Sequence, residues 1–316
     1  MKPFTIMEVC GTHTHVIAKA GLKQLLPENV RLISGPGCPV CVTPNAAIDE
    51  MIALADIPNV IIATFGDMVR VPGSTTSLQS KTNVVIVYSP MDAVELARNN
   101  PDKEIVFLGV GFETTTPTTA VAIKNAPDNF SVYCAHKSMP NVLKLINNVD
   151  GLLLPGHVST IIGIEPYKSL GIPGVVAGFE PEDIMLAIDM LLKCDNEIKI
   201  AYTRGVKPEG NPTALNLIEE VFDTCDSEWR GLGAVPYSGY KIKDKYSKYD
   251  ATKKFDIKPE PTHEHSGCKC GEVLKGVLEP ENCPLFAKKC SPANPIGPCM
   301  VSHEGSCSAH YQNPKI

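Results

Sequence analysis

The residues able to do chemistry stand near the two ends of the chain. Of twelve cysteines, three lie before residue 42 and six after residue 267, with only Cys134, Cys194 and Cys225 between them. Thiolates bind soft metals and exchange electrons, so two separated groups imply two chemical centres. The first begins with Cys10-Gly11-Thr12-His13-Thr14-His15. A thiol and two imidazoles this close can bind a first-row metal or assist acid–base chemistry. The plainer alternative is one buried thiol and two ordinary histidines. Cys38-Pro39-Val40-Cys41 follows, behind a Gly35-Pro36-Gly37 turn. Its spacing lets a disulfide close with little backbone movement. A helix beginning near Pro44 would favour the thiolate and promote exchange. Half of a zinc site is the alternative.

The tail carries Cys268-x-Cys270-x12-Cys283-x6-Cys290-x8-Cys299-x7-Cys307. Four thiolates can hold a structural zinc or an iron–sulfur cluster. Zinc sites favour paired C-x2-C knuckles, and the tail has none, so wide spacing with surplus thiols suits a cubane cluster better. A zinc staple stays the structural alternative. His263, His265, His303 and His310 lie nearby and are read as solvated. The tail is poor in apolar residues, and such segments need a metal or disulfides to fold.

These centres need elements to position them. A chain of 316 residues with 43% hydrophobic residues has enough length and apolar content for two domains or slightly more. Its formal charge of −6 argues against nucleic acid. Glu8 interrupts what would be the apolar core of a signal peptide. No apolar run reaches the ~18 residues of a membrane helix. A cytoplasmic setting is expected, where structural disulfides are rare.

Between residues 30 and 225, short apolar β-branched runs alternate with helical segments. Strands are expected at 30–34, 60–65, 84–89, 105–110, 131–135, 152–155, 175–178 and 198–202. Most lack polar alternation, as parallel strands covered on both faces do. Ser89-Pro90, Thr116-Pro117, Pro140 and Pro181 open helices. The fold class is therefore α/β, with two similar open parallel-sheet domains at 1–101 and 102–225, divided at the polar Asn99-Asn100-Pro101-Asp102, and a cysteine region at 226–316. A single eight-stranded barrel is the alternative. Residues 241–258 read as a solvated connector.

Two further loops sit at expected strand ends, where open α/β sheets carry ligands. Gly109–Pro117 contains Glu113 and lacks the ending of a phosphate-binding loop. Leu154–Thr160 contains His157 and Ser159. Helix capping by the threonines and a satisfied loop histidine are the structural alternatives. Glu180 closes a later strand in the same way.

Cys-Gly-Thr-His-Thr-His at 10–15, Gly-Pro-Gly-Cys-Pro-Val-Cys at 35–41, Gly-Phe-Glu-Thr-Thr at 111–115 and Pro-Gly-His-Val-Ser at 155–159 together resemble the HypD family of hydrogenase maturation proteins. Val-Pro-Tyr-Ser-Gly at 235–239, Cys-Pro-Leu-Phe at 283–286 and Pro-Cys-Met-Val-Ser at 298–302 extend the resemblance over nearly the whole chain. It implies a scaffold that works with a small partner, HypC. On it an iron atom acquires two cyanides and one carbon monoxide for nickel–iron hydrogenase, the cyanide delivered by HypE from carbamoyl received through HypF. It implies two α/β domains and a [4Fe-4S] cluster. By motif, Cys10 is the iron-binding thiolate, and Cys38 and Cys41 are the redox dithiol. The cluster takes Cys268, Cys283, Cys290 and Cys307, with Cys270 and Cys299 in reserve. His13 orients a ligand or moves protons, and Glu113, His157 and Ser159 line the cleft between the α/β domains. A monomer acting in transient heterocomplexes is expected. The family carries a longer segment ahead of the Cys-Gly-Thr-His motif than the nine residues here, so weaker cluster packing or partner docking is expected. A disulfide reductase resembling ferredoxin–thioredoxin reductase and a zinc-stapled binding module are the alternatives.

Overall fold

Apolar runs flanked by glycine, proline and polar turns become strands, and the proline-led segments between them become helices. The computed structural model describes residues 3–259 and 261–314. Its strands are β1 Phe4–Glu8, β2 Val30–Ser34, β3 Val60–Thr64, β4 Val84–Ile86, β5 Glu104–Gly109, β6 Phe130–Cys134, β7 Gly151–Pro155, β8 Gly174–Ala177, β9 Ile198–Ile200, β10 Phe222–Trp229 and β11 Gly233–Ile242. All eight expected strands form, and the class is α/β with parallel sheets.

The chain folds as two compact units, each assembled from separated stretches. The first comprises the described residues of Met1–Val42, Met139–Pro212 and Gly267–Ile316; the second is Thr43–Ser138 with Thr213–Ser266. The expected boundaries at 101/102 and 225/226 are not where the units divide. The polar 99–102 stretch is a helix-to-strand turn inside the second unit, because β5 pairs with β3 in register Val60↔Glu104 to Ala63↔Phe107. Parallel pairing needs only a crossover of sufficient length, and that polar turn supplies its end.

The first unit holds a five-stranded sheet in the order β2-β1-β7-β8-β9, every pair parallel. Ile6, Leu32, Leu153, Val175, Ile184 and Ile188 form part of its core. The order reverses between β1 and β7: the chain leaves β1 toward β2 on one side and returns through β7 on the other. Ligands of open α/β sheets sit outside the carboxyl ends of strands at such a switch point.

The second unit holds the four-stranded parallel sheet β4-β3-β5-β6. Its helix Pro90–Asn99 starts as its sequence dictates. Ser89 Oγ accepts the Asp92 N–H at 3.2 Å and Asp92 returns the bond to the Ser89 N–H at 2.9 Å, a reciprocal cap. The antiparallel hairpin β10–β11 lies in this unit. Strand structure does not fade after 226 as expected: β11 pairs with β10 and buries Val235, Ser238, Gly239 and Ile242 without a regular alternation, its pairing register shifting opposite Cys225–Ser227. The 241–258 stretch is no solvated connector either. Tyr249 and Ile242 pack into the core with Phe107 and Phe130, and Ala251 is buried.

Candidate thiol and metal site

Four strand ends of the first unit carry the chemistry. Cys10 follows β1 and occupies the N-cap position of the helix Gly11–Lys19 in extended conformation. Cys38 follows β2 and the Gly-Pro-Gly turn, and Cys41 lies on the helix Pro39–Val42. The helix Gly156–Ile162, with His157 and Ser159, follows β7. Phe179 and Glu180 follow β8 and precede the helix Pro181–Leu192. The two thiol loops are tied together, since the Gly11 N–H donates to the Gly37 carbonyl at 3.0 Å. A Cβ on Gly37 would collide with the Cys10 amide nitrogen and lie 2.6 Å from Cys10 Cα. Only glycine lets the dithiol loop lie against the backbone of Cys10 this closely.

Cys10 is buried, and desolvation pushes its thiol up to about 12. The backbone N–H groups of His13 and Thr12 oppose this, while the carboxylates of Glu304 and Glu8 add to it. The thiol is therefore neutral unless a cation replaces its proton. Glu8, at the end of β1, is 1% exposed. Its Oε2 accepts the Cys10 N–H at 3.1 Å and its Oε1 accepts the Thr14 hydroxyl at 2.6 Å. Burial pushes this carboxyl up to about 7, against the hydroxyls of Thr14 and Ser34 and the Cys10 N–H. Sequence reasoning used Glu8 only against a signal peptide. The missed signal was a lone carboxylate closing the short, mostly apolar run Phe4–Glu8.

His13 is fully buried, with Nε2 2.9 Å from the Gly178 carbonyl. A carbonyl only accepts, so Nε2 carries the proton and Nδ1 keeps its lone pair. That Nδ1 is buried with no partner among the described residues. Desolvation lowers His13 to about 4, so the ring is neutral near pH 7. His157 is exposed at its edge and stacks on Phe179, ring centroids 3.8 Å apart, and Phe179 also approaches His13 at 5.7 Å. Burial lowers the His157 pKa. Ser159 is less available, for its buried hydroxyl donates to the Pro155 carbonyl at 2.8 Å within its own helix turn. Glu113 lies in the second unit, buried, accepting the Ser138 hydroxyl at 2.9 Å. The neighbouring Thr115 and Thr116 hydroxyls donate to the Phe112 carbonyl, a local bond that starts the helix Thr116–Asn125.

Cys38 and Cys41 form a disulfide with Cα atoms 5.2 Å apart, both residues buried. The helix carrying Cys41 packs against the turn Pro298–Met300 and the helix Cys270–Leu274. Both elements belong to a cavity lined by all six tail cysteines: Cys268, Cys270, Cys283, Cys290, Cys299 and Cys307. A Cβ on Gly297 would stand 2.6 Å from Cys268 Sγ, so a glycine keeps this wall open. Cys290 Sγ accepts the Ile296 N–H at 3.3 Å. Burial raises Cys268 to about 12 and also raises Cys290. Cys270 Sγ and Cys299 Sγ are 2.7 Å apart, and the bond to Cys270 leads the causes that raise Cys299 well above an ordinary thiol. Six converging thiols fit a soft, thiolate-bound metal group. Among the nearby histidines, His263, His265 and His303 are exposed. His310 is buried with Nδ1 2.8 Å from Glu281, so solvation is the wrong reading for it.

Among the described residues no helix is long and apolar enough to cross a membrane. A family model for HypD, described as the hydrogenase formation hypA family, matches residues 1–314. The chain is 46% identical to hydrogenase maturation factor HypD2 of Bradyrhizobium diazoefficiens, covering 98% of this chain and 89% of the relative. It is 45% identical to hydrogenase maturation factor HypD of Escherichia coli with the same coverage. It is 44% identical to a putative hydrogenase expression/formation protein of Methanocaldococcus jannaschii, covering 98% and 92%.

Proposed function

The chain belongs to the HypD family of hydrogenase maturation proteins, and from that premise we propose that it assembles the Fe(CN)2CO unit of nickel–iron hydrogenase. Iron is the cargo, and Cys10 is its thiolate, shared with a cysteine of HypC. HypE supplies the cyanide. The observation that carries this reading is the Gly11–Gly37 hydrogen bond, which holds the Cys10 loop against the Cys38–Cys41 loop at a sheet switch point.

Cys268, Cys283, Cys290 and Cys307 would hold a [4Fe-4S] cluster. Cys270 and Cys299, whose sulfurs lie 2.7 Å apart, stay in reserve. When bound, such a cluster supplies single electrons. The Cys38–Cys41 disulfide takes up two electrons and two protons on opening to the dithiol. Its helix packs on two elements of the cysteine cavity, which supports electron supply from that side. Thiolate donation from Cys10 stabilises low-spin iron carrying cyanide and carbon monoxide. Neutral His13 offers an acceptor nitrogen in a dry environment, and His157, pinned on Phe179, offers an exposed edge.

Infrared spectroscopy of the complex with HypC, purified anaerobically, tests the reading. Cyanide and carbon monoxide bands are expected from the unaltered protein, and their loss in Cys10→Ala. Bands of full strength in Cys10→Ala would reject Cys10 as the iron thiolate. Zinc without iron or acid-labile sulfide would reject the cluster.

A further inference from the structure

A cysteine at an N-cap position is unusual company for a helix, because thiols cap poorly. Cys10 makes no side-chain cap to its helix. In a capping box, the third helical residue returns a carboxylate to the N-cap N–H. That position is His13 here, and its ring points to Gly178 instead. Glu8, two residues upstream, caps in its place. Its Oε2 accepts the Cys10 N–H at 3.1 Å and its Oε1 the Thr14 hydroxyl at 2.6 Å. The Thr14 hydroxyl also lies 3.2 Å from the Cys10 carbonyl. Through its own carbonyl Glu8 accepts the Gly35 N–H at 2.8 Å, at the start of the loop leading to Cys38. One buried residue therefore ties the Cys10 turn, the first turn of its helix and the dithiol loop. Burying a carboxylate is costly unless donors surround it, so a site retaining one uses each of its acceptors.

We propose that Glu8, seconded by Thr14, is the positioning residue of Cys10, holding its backbone so that the thiol stays free of capping duty and available to iron. The proposal rests on the reading of Cys10 as the iron thiolate. Glu8 itself touches no iron.

The test compares Glu8→Gln with Glu8→Ala in the full chain. Both lack the charge, so their difference isolates the hydrogen bonds. The glutamine carbonyl can accept the Cys10 N–H, and its amide can donate to Thr14 Oγ1. The first readout is the iodoacetamide alkylation rate of Cys10, followed on its own peptide by mass spectrometry without iron. The second is the strength of the cyanide and carbon monoxide infrared bands with HypC. Glu8→Ala is expected to differ from Glu8→Gln by about tenfold in alkylation, the effect of losing one buried neutral hydrogen bond, and to lose most of its bands. Glu8→Gln is expected to retain bands within about twofold of the unaltered protein. Equal behaviour of the two folded variants overturns the proposal. Should Glu8→Ala fail to fold, Thr14→Val decides: it removes the hydroxyl that touches Glu8 and the Cys10 carbonyl and keeps the Glu8 carboxyl, and an unchanged Cys10 alkylation rate overturns the proposal. Absence of bands from the unaltered protein would reject the iron reading, while the alkylation comparison still decides the role of Glu8.

Discussion

Cys270 Sγ and Cys299 Sγ lie 2.7 Å apart, and these are the two most deeply buried of the six cysteines around the tail cavity, 4% and 1% exposed. Cys299 also contacts Cys307, so Cys270 and Cys299 stand as the reserve thiols within one group of six. The double variant Cys270→Ser/Cys299→Ser is expected to bind iron and acid-labile sulfide at the level of the unaltered protein. Cys283→Ser or Cys290→Ser is expected to lose most of both. Anaerobic iron and sulfide quantitation reads the outcome, and loss of iron from the double variant would assign the ligands differently.

Gly37→Ala tests the contact between the two thiol loops. The new methyl would meet backbone atoms of Cys10 and Val9, which cannot swing aside as a side-chain tip can. Overpacking of this kind costs about 1–3 kcal/mol. A lowered urea midpoint is expected, together with weakened cyanide and carbon monoxide bands. A variant of unchanged midpoint and bands would show that the loops need no such approach.

The Cys38–Cys41 disulfide predicts a defined thiol count. The peptide spanning both residues is expected to resist alkylation in the oxidised, unfolded protein and to gain two labels after reduction. Cys41→Ser should leave Cys38 labelled without reductant and should stop band formation while leaving iron and sulfide in the tail. Full band strength in Cys41→Ser would remove the dithiol from the assembly chemistry.

His136 predicts an acid dependence for the second unit. It is buried, its Nε2 is 3.2 Å from Thr119 Oγ1, and desolvation pulls its pKa down to about 3. The unfolded chain binds this proton near pH 6.5 and the folded unit does not. The stability from a neutral His136 is thus fully present above pH 6.5 and is lost as pH falls toward 3. The urea midpoint should fall between pH 7 and 5 in the unaltered protein and fall less steeply in His136→Gln. Equal slopes would show that His136 does not carry the effect.

Much of the site was legible in the chain itself because its parts are local. Cys38 and Cys41 are three residues apart, and a short helix brings them into bonding range. Glu113, His157 and Glu180 could be placed at strand ends because an apolar run ending in glycine or proline marks where a buried strand emerges. The helix at Pro90 was legible from Ser89 and Asp92. Ser159 was misleading for a local reason too: its motif ranks it with His157, but a helix turn aims its hydroxyl back at Pro155. Glu8 went unread because no strand was expected around it, and its contact with Gly35 forms only once β1 lies beside β2.

The sequence by itself determined the chemistry available, the α/β class and the family, since thiol spacing, strand hydrophobicity and turn residues are written in contiguous stretches. Tertiary structure decided which stretches share a unit. β1 pairs with β7 across more than a hundred residues, and the hairpin β10–β11 folds with strands well before it rather than with the cysteine tail that follows. Parallel strands buried on both faces look alike in sequence. Their order is set by crossover length, helix cover and the packing of distant side chains, none of which any single stretch encodes. The same packing gathered six unevenly spaced cysteines around one cavity and set two of them in contact.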